Sequence, residues 1–290
     1  MGKIISVLIF FIFVTTVLKT QNVKKVTVKL NEYTKEVYYV LESDKNIKHG
    51  KYQLFKYDNL ATEGYYKNNQ KDSIWKNWTA NKKVIKEYNY KQDLLNGLSR
   101  EYNYYGLLNN KGNYIDNKKF GEWEYYDFSG DITKKGLYLD DMETGEWEFY
   151  KKGSREQRYD YTSKKILFDA YESTNKNVLV PGVADGVFDT LDYGAFFIGG
   201  QYLLFNFINT NINYPLVARE NGIAGTVYTN FIVDETGNIM DLKILRGIGG
   251  GCNEEAFRVI QLTSGKWSPA INNGKVVQMK YTIPVKYQLE

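Results

Sequence analysis

The chain has 290 residues, 38 Lys+Arg against 34 Asp+Glu for a formal net charge of +4, and 43% apolar and 16% aromatic residues. This is the composition of a folded chain long enough for two domains, and charge this balanced excludes a dedicated nucleic-acid binder. One Cys and one His exclude an intrachain disulfide and the thiolate or imidazole zinc sites, so catalysis would have to rest on carboxylates, Ser, Lys or Tyr.

At the N-terminus, Lys3 precedes an apolar run from Ile4 to Leu18, and the polar Lys19-Thr20-Gln21-Asn22 follows. The run is 15 residues long, whereas a spanning helix needs about 20. Residues 1–20 therefore read as an export signal peptide, with retention as an N-terminal anchor the alternative. No Cys follows the run, so a lipid anchor is not expected. Residues 21–48 read as an N-terminal strand region.

The next stretch repeats. Gly97, Gly121 and Gly145 are 24 apart and open Gly97-Leu-Ser-Arg-Glu-Tyr102, Gly121-Glu-Trp-Glu-Tyr-Tyr126 and Gly145-Glu-Trp-Glu-Phe-Tyr150. Tyr66, Tyr90, Tyr114 and Tyr138 keep the same spacing, with Tyr161 closing the series, and about five copies fill residues 49–165. Each copy holds two short aromatic runs of alternating character separated by Asn, Gly, Asp and Lys, the signature of a β-hairpin. A single hairpin cannot bury its aromatic face, but stacked neighbours can, so the copies predict an elongated β-hairpin array. The pattern resembles the MORN-type repeat and the related YwqK-like repeat proteins, whose arrays serve as scaffolds and binding platforms. This chain departs from the repeat at Ser99, where other copies have Trp, and at Tyr88, where they have Gly.

Residues 166–195 carry Pro181, Gly182 and Gly186 without a repeat and read as a linker. The segment Tyr202 to Ile208 suits a short helix, ended before Pro215. Beyond it, Thr226 to Asp234 alternates with Val227, Phe231 and Val233 on one face. Asp234-Glu-Thr-Gly237 then supplies a turn, and Met240, Leu242 and Ile244 continue the alternation. After Gly247 to Gly251, Asn253 is placed as an N-cap of a helix whose Ala256, Val259, Ile260 and Thr263 share a face. Trp267-Ser-Pro269 stops that helix, and a strand of period two runs from Val277 to Leu289. The expected class is mostly β with an α+β C-terminal domain, a three-stranded antiparallel sheet packed with helices.

Residues 196–290 carry Phe197-x-Gly199-Gly200, Asn213-Tyr-Pro215, Gly222-Ile-x-Gly225-Thr-Val227, Phe231-x-Val-Asp-x-x-Gly237, Glu254-Glu-Ala256, Trp267-x-Pro269 and Ile283-Pro284-Val285. This pattern resembles the TonB C-terminal domain of the energy transducers of outer-membrane uptake. The resemblance implies a non-enzymatic cell-envelope protein that binds an extended, TonB-box-like peptide of an outer-membrane transporter by β-augmentation. It implies partner contact along the final strand, at Gln278, Lys280, Thr282 and Lys286, and at Asn211, Ile212 and Asn213 against the transporter plug. Inner-membrane motor proteins would be further partners if residues 1–20 are retained. The alternative is a periplasmic scaffold or adaptor using the aromatic repeats without energy coupling, since a transducer reaches across the periplasm through a long proline- and charge-rich linker and this chain has 4 Pro in all.

No cofactor, metal or nucleic acid is expected. Gly247 to Gly251 lacks the Lys of a phosphate loop, and Glu254 and Glu255 would repel an anion. Glu122/Glu124 and Glu146/Glu148 recur with the repeat and read as a solvated face rather than a glycosidase pair. Cys252 reads as a small buried side chain, and His49 is assigned no role.

Overall fold

The computed structural model describes residues 21–170 and 191–289. The signal or anchor assigned to residues 1–20, and most of the linker, lie outside the described residues. The first unit is one antiparallel sheet whose strands neighbour each other in chain order. They are β1 (Val23–Asn31), β2 (Thr34–Leu41), β3 (Lys48–Lys56), β4 (Asn59–Lys67), β5 (Gln70–Trp78), β6 (Val84–Lys91), β7 (Leu94–Leu95), β8 (Gly97–Tyr102), β9 (Leu108–Ile115), β10 (Lys118–Tyr126), β11 (Ile132–Leu139), β12 (Met142–Lys151), β13 (Ser154–Asp160) and β14 (Lys165–Asp169). The short β7 pairs with β6, off the main path.

The repeat spacing has a backbone cause. Gly50, Gly97, Gly121 and Gly145 all have positive φ (106°, 106°, 69° and 60°), a conformation that costs a side chain dearly. The second copy has Ser73 at this position, and it too sits at φ 61°. The turns on one rim are two-residue connections with both residues left-handed, such as Asn68-Asn69, Asp116-Asn117 and Asp140-Asp141.

One face of the sheet is an aromatic ladder. Gly64, Gly112 and Gly136 lie beneath Trp75, Trp123 and Trp147, so close that an added Cβ would fall 2.1–2.3 Å from the ring. Each indole N–H donates at 3.1 Å to a carbonyl of the strand beneath, those of Tyr65, Asn113 and Leu137. The departure at Tyr88 and Ser99 is an exchange of sides. Tyr88 occupies the glycine position beside Trp75, and Ser99 occupies the tryptophan position beside Gly112. Ser99 is buried, its hydroxyl donating to the Gly112 carbonyl, and the Tyr88 hydroxyl is bound to Glu101. Lys71 and Lys119 lie over the rings, with Lys119 Nζ 4.6 Å from the Trp123 centroid and 4.8 Å from that of Tyr138.

The other face is a charge ladder. Glu63, Lys76, Glu87, Arg100, Lys111, Glu124, Lys135, Glu148 and Arg158 follow one another across paired strands. Their ion pairs include Arg100–Glu87 at 2.6 Å, Lys111–Glu124 at 2.8 Å and Lys135–Glu148 at 2.9 Å. The recurring Glu124 and Glu148 thus serve cross-strand pairing.

The second unit comprises β15 (Phe196–Phe197), α1 (Gly200–Asn211), α2 (Leu216–Glu220), β16 (Gly225–Val233), β17 (Ile239–Arg246), α3 (Cys252–Gln261), β18 (Trp267–Ser268), β19 (Ala270–Asn272), β20 (Lys275–Val277) and β21 (Met279–Tyr287). Its main sheet has the order β17-β16-β21 and packs against α3 and α1. Val227, Phe231 and Val233 meet Ala256, Val259 and Ile260 in one core with Trp267, Ile283 and Val285. Gly237 is required by close approach: at φ 84°, its Cβ would stand 2.1 Å from the Trp267 carbonyl.

Two local expectations are corrected. Met240 is exposed, and Ile239 is buried in its place, because Asp241 adopts φ 49° and shifts the alternation before Leu242 and Ile244 rejoin the core. Asn253 does not cap α3, whose N-cap is Gly251. Its Oδ1 instead accepts the N–H groups of Ile248 and Gly249, at 3.0 and 3.4 Å, and ties down the glycine loop.

Candidate functional site

The three-stranded sheet ends on two outer strands, and they differ. β17 is bulged, with register shifts against β16 between Tyr228/Thr229 and between Asn230/Ile232, and with Asp241 in the left-handed region. Such irregularity twists an edge away from further pairing. β21 runs against β16 without a shift, from Gly225↔Tyr287 to Val233↔Met279. Among the described residues, no strand pairs with its outer side.

Pro284 sets which groups that outer side offers. A proline within a strand is tolerated where its nitrogen faces away from the ladder. Alternate residues share that direction, so the main-chain groups of Lys280, Thr282 and Lys286 point to the open edge. The carbonyls of Tyr281 and Ile283 point the other way, accepting from Asn230 Nδ2 and Thr229 Oγ1, each at 3.0 Å. The edge therefore offers N–H donors at positions 280, 282 and 286, and carbonyls at those positions and at Pro284.

Of the residues expected to touch a partner, Lys280, Thr282 and Lys286 are exposed on β21. The Thr282 hydroxyl accepts Asn230 Nδ2 at 2.9 Å, so its side chain is already engaged within the sheet. Gln278 lies just before β21, and its Nε2 donates to Glu235 Oε2 at 3.2 Å. Asn211, Ile212 and Asn213 form the exit of α1. The Asn213 N–H donates to Glu255 Oε1 at 2.6 Å, and the Asn211 carbonyl accepts Arg258 Nη2 at 2.7 Å. Arg258 also grips Glu255, and that hydrogen bond holds the Glu255 carboxyl below the usual carboxylate range. The two segments approach one another where the Tyr214 ring meets that of Tyr287, centroids 5.5 Å apart. Tyr287 is anchored in turn through its hydroxyl to the Cys252 carbonyl at 2.9 Å.

Glu235, Asn230, Glu255 and Arg258 position these segments and were not anticipated. The Glu255/Arg258 spacing of three on a predicted helix was the one available signal. Cys252 is buried, and burial pushes its thiol up, away from the reactive thiolate. No described helix is long and apolar enough to cross a membrane.

Residues 210–289 match the family model described as Gram-negative bacterial TonB protein C-terminal. No curated protein matches the chain. Among solved structures, a solution structure of the Helicobacter pylori TonB C-terminal domain is 20% identical, covering 30% of this chain and 79% of that one, with a TM-score of 0.23. A shorter form of the same domain is also 20% identical and covers 31% and 99%, with a TM-score of 0.24. Staphylococcus aureus TarM is 9% identical over 50% of this chain and 21% of its own, with a TM-score of 0.17. By the family match, the chain carries at its C-terminal end a domain of the TonB C-terminal family, joined to a β-hairpin array that the match does not cover.

Proposed function

We propose that the outer edge of β21 takes up an extended peptide of an outer-membrane transporter as a fourth strand, and that the chain supports energy-coupled uptake in the cell envelope. One observation carries this reading: among the described residues β21 is a regular, unpaired edge, whereas the opposite edge of the same sheet is bulged. Main-chain groups supply affinity in such pairing and the flanking side chains supply selectivity. The exit of α1, held by Glu255 and Arg258, flanks the Tyr287 end of the edge and is suited to touch the folded part of the transporter. The role is binding, without chemistry. Coupling to inner-membrane motor proteins requires that residues 1–20 be retained as an anchor. The intact mass and membrane fractionation of the expressed protein separate this from a periplasmic adaptor.

The binding test is a titration of the isotope-labelled chain with synthetic peptides copying the extended N-terminal segments of outer-membrane transporters, followed by NMR. Saturable shifts are expected along Lys280 to Lys286, with β17 unmoved. Thr282→Pro, which removes an edge donor but no donor to β16, is expected to weaken binding by roughly tenfold. Shifts confined to β17, or no saturable binding, would refute the assignment.

A further inference from the structure

Helix α1 begins without a cap of its own. Its N-cap is Gly199, which has no side chain to accept a hydrogen bond, and its first turn contains no acidic residue. The leading N–H groups of a helix nonetheless need acceptors. They find them on the array. Gly199 N–H donates to Gln157 Oε1 at 2.7 Å, and Tyr202 N–H donates to Glu156 Oε2 at 3.1 Å. Both acceptors belong to β13, more than 40 residues earlier in the chain.

These two side chains are among the most buried polar groups described, with Gln157 0% and Glu156 4% exposed. Amides and carboxylates accept such burial when their hydrogen-bonding capacity is met. Gln157 Nε2 donates to Asp169 Oδ2 at 3.0 Å on β14, and reaches the Phe197 carbonyl at 3.4 Å. The same amide thus ties together β13, β14 and the entry to α1. Gly200 leaves no slack: at φ 80°, an added Cβ would lie 3.1 Å from Glu156 Oε2.

Apolar contacts make α1 a shared wall. Leu203 of α1, and Ile198 just before it, pack against the array's aromatic cluster of Trp123, Tyr138, Trp147, Phe149 and Tyr159. Leu204 and Ile208 pack in the other core, with Phe231 and Ile260. Nearly all of this helix precedes residue 210, where the family match begins.

We infer that α1 is a clamp, capped by Glu156 and Gln157, that joins the hairpin array and the C-terminal domain into one rigid body. The array then acts as an arm. At about 4.8 Å per strand, its path from β1 to β14 is roughly 55–60 Å long, and a displacement of its far end is delivered to the β21 edge instead of being lost at a loose joint. A flexible joint would require Gln157 and Glu156 to open to water with every swing. This inference does not depend on which partner β21 takes, because its test contains no partner.

Spin labels placed through Lys118→Cys on β10 and Lys243→Cys on β17 report the distance across the joint in the full chain; the native Cys252 is buried and takes no label. Double electron–electron resonance is expected to give a single narrow distance distribution, which broadens when Glu156→Ala and Gln157→Ala are combined. A broad distribution in the otherwise native chain, or one that stays narrow without both caps, would overturn the clamp. Hydrogen exchange guards against simple misfolding. In the double variant, α1 amides should exchange roughly tenfold faster or more, while those of β16 and β21 keep their protection. Loss of protection in β16 and β21 as well would also overturn it, since the caps would then support the domain itself and not its attachment.

Discussion

Gly136→Ala isolates the ring-over-glycine contact that repeats along the array. Gly136 is not at positive φ, so alanine brings no backbone penalty there and its effect is steric. The new Cβ would stand 2.3 Å from Trp147 Cδ2 and 2.4 Å from Cγ. Restoring ordinary contact requires the indole to retreat by roughly 1 Å or more. Trp147 is fully buried, with its N–H on the Leu137 carbonyl and its ring edge-on to Tyr138, centroids 5.1 Å apart. Overpacking a filled core costs about 1–3 kcal/mol, and losing a buried aromatic altogether costs about 3–5 kcal/mol. The expected destabilisation is therefore about 2–5 kcal/mol. Gly121→Ala is the matched control, because Gly121 has φ 69° but nothing within 4 Å of its Cβ; strain alone should cost about 1–2 kcal/mol there. Guanidinium unfolding followed by tryptophan emission reads both, and a red-shifted native spectrum in Gly136→Ala would report the displaced ring. If Gly136→Ala lies within about 0.5 kcal/mol of the native chain, or costs less than Gly121→Ala, the contact does not hold the array together.

Ser73 occupies the repeat's left-handed position without being glycine, so Ser73→Gly should stabilise the array by about 1 kcal/mol in the same unfolding assay. Ser99→Trp alone should overpack against Tyr88, and Tyr88→Gly alone should leave a void. The two together restore the arrangement of the other copies, and a double-mutant cycle should show a favourable coupling of at least about 1 kcal/mol. Glu148, held to about 2 from an ordinary 4.5 chiefly by the Tyr150 hydroxyl, with Lys135 and Arg155 adding to it, gives a pH dependence of definite sign. Its carboxylate is depressed in the folded state, so its stabilisation is complete above pH 4.5 and is lost as the pH falls toward 2. Acid melts of the native chain and of Glu148→Gln should diverge above that window and converge within it.

The hairpin array was legible because its causes are local and recur. A left-handed position that is glycine in every copy but the one with Ser73, polar two-residue turns and alternating aromatics each act within one copy, and the period displays them repeatedly. The C-terminal domain was legible for a related reason, since Val227, Phe231 and Val233 and the Ala256/Val259/Ile260 face carry periods that mark buried sides. The final strand was legible too, but not why it, and not β17, is the receptive edge. That difference rests on Asp241, whose left-handed backbone falls inside an apparently regular alternation and not in a turn. Nothing in the Met240, Leu242 and Ile244 pattern marks it, although Asp visits that region more readily than most residues, and it moved Met240 from the expected core to the surface. The exchange at Tyr88 and Ser99 appeared as two separate departures from the repeat. Strand pairing makes them one event, because each faces a neighbour in the same cross-strand row.

Sequence alone thus established what periodicity can encode: two units, the hairpin grammar of the first, and the core-facing residues and family likeness of the second. Tertiary structure decided the connections. Glu156 and Gln157 look like ordinary solvent-facing residues of a polar strand, and Gly199 looks like any loop glycine. Only the folded chain brings them to 2.7 and 3.1 Å contacts across the joint. Hydrogen bonds between residues more than 40 positions apart leave no period behind, because their geometry is set by how two cores come to share one helix.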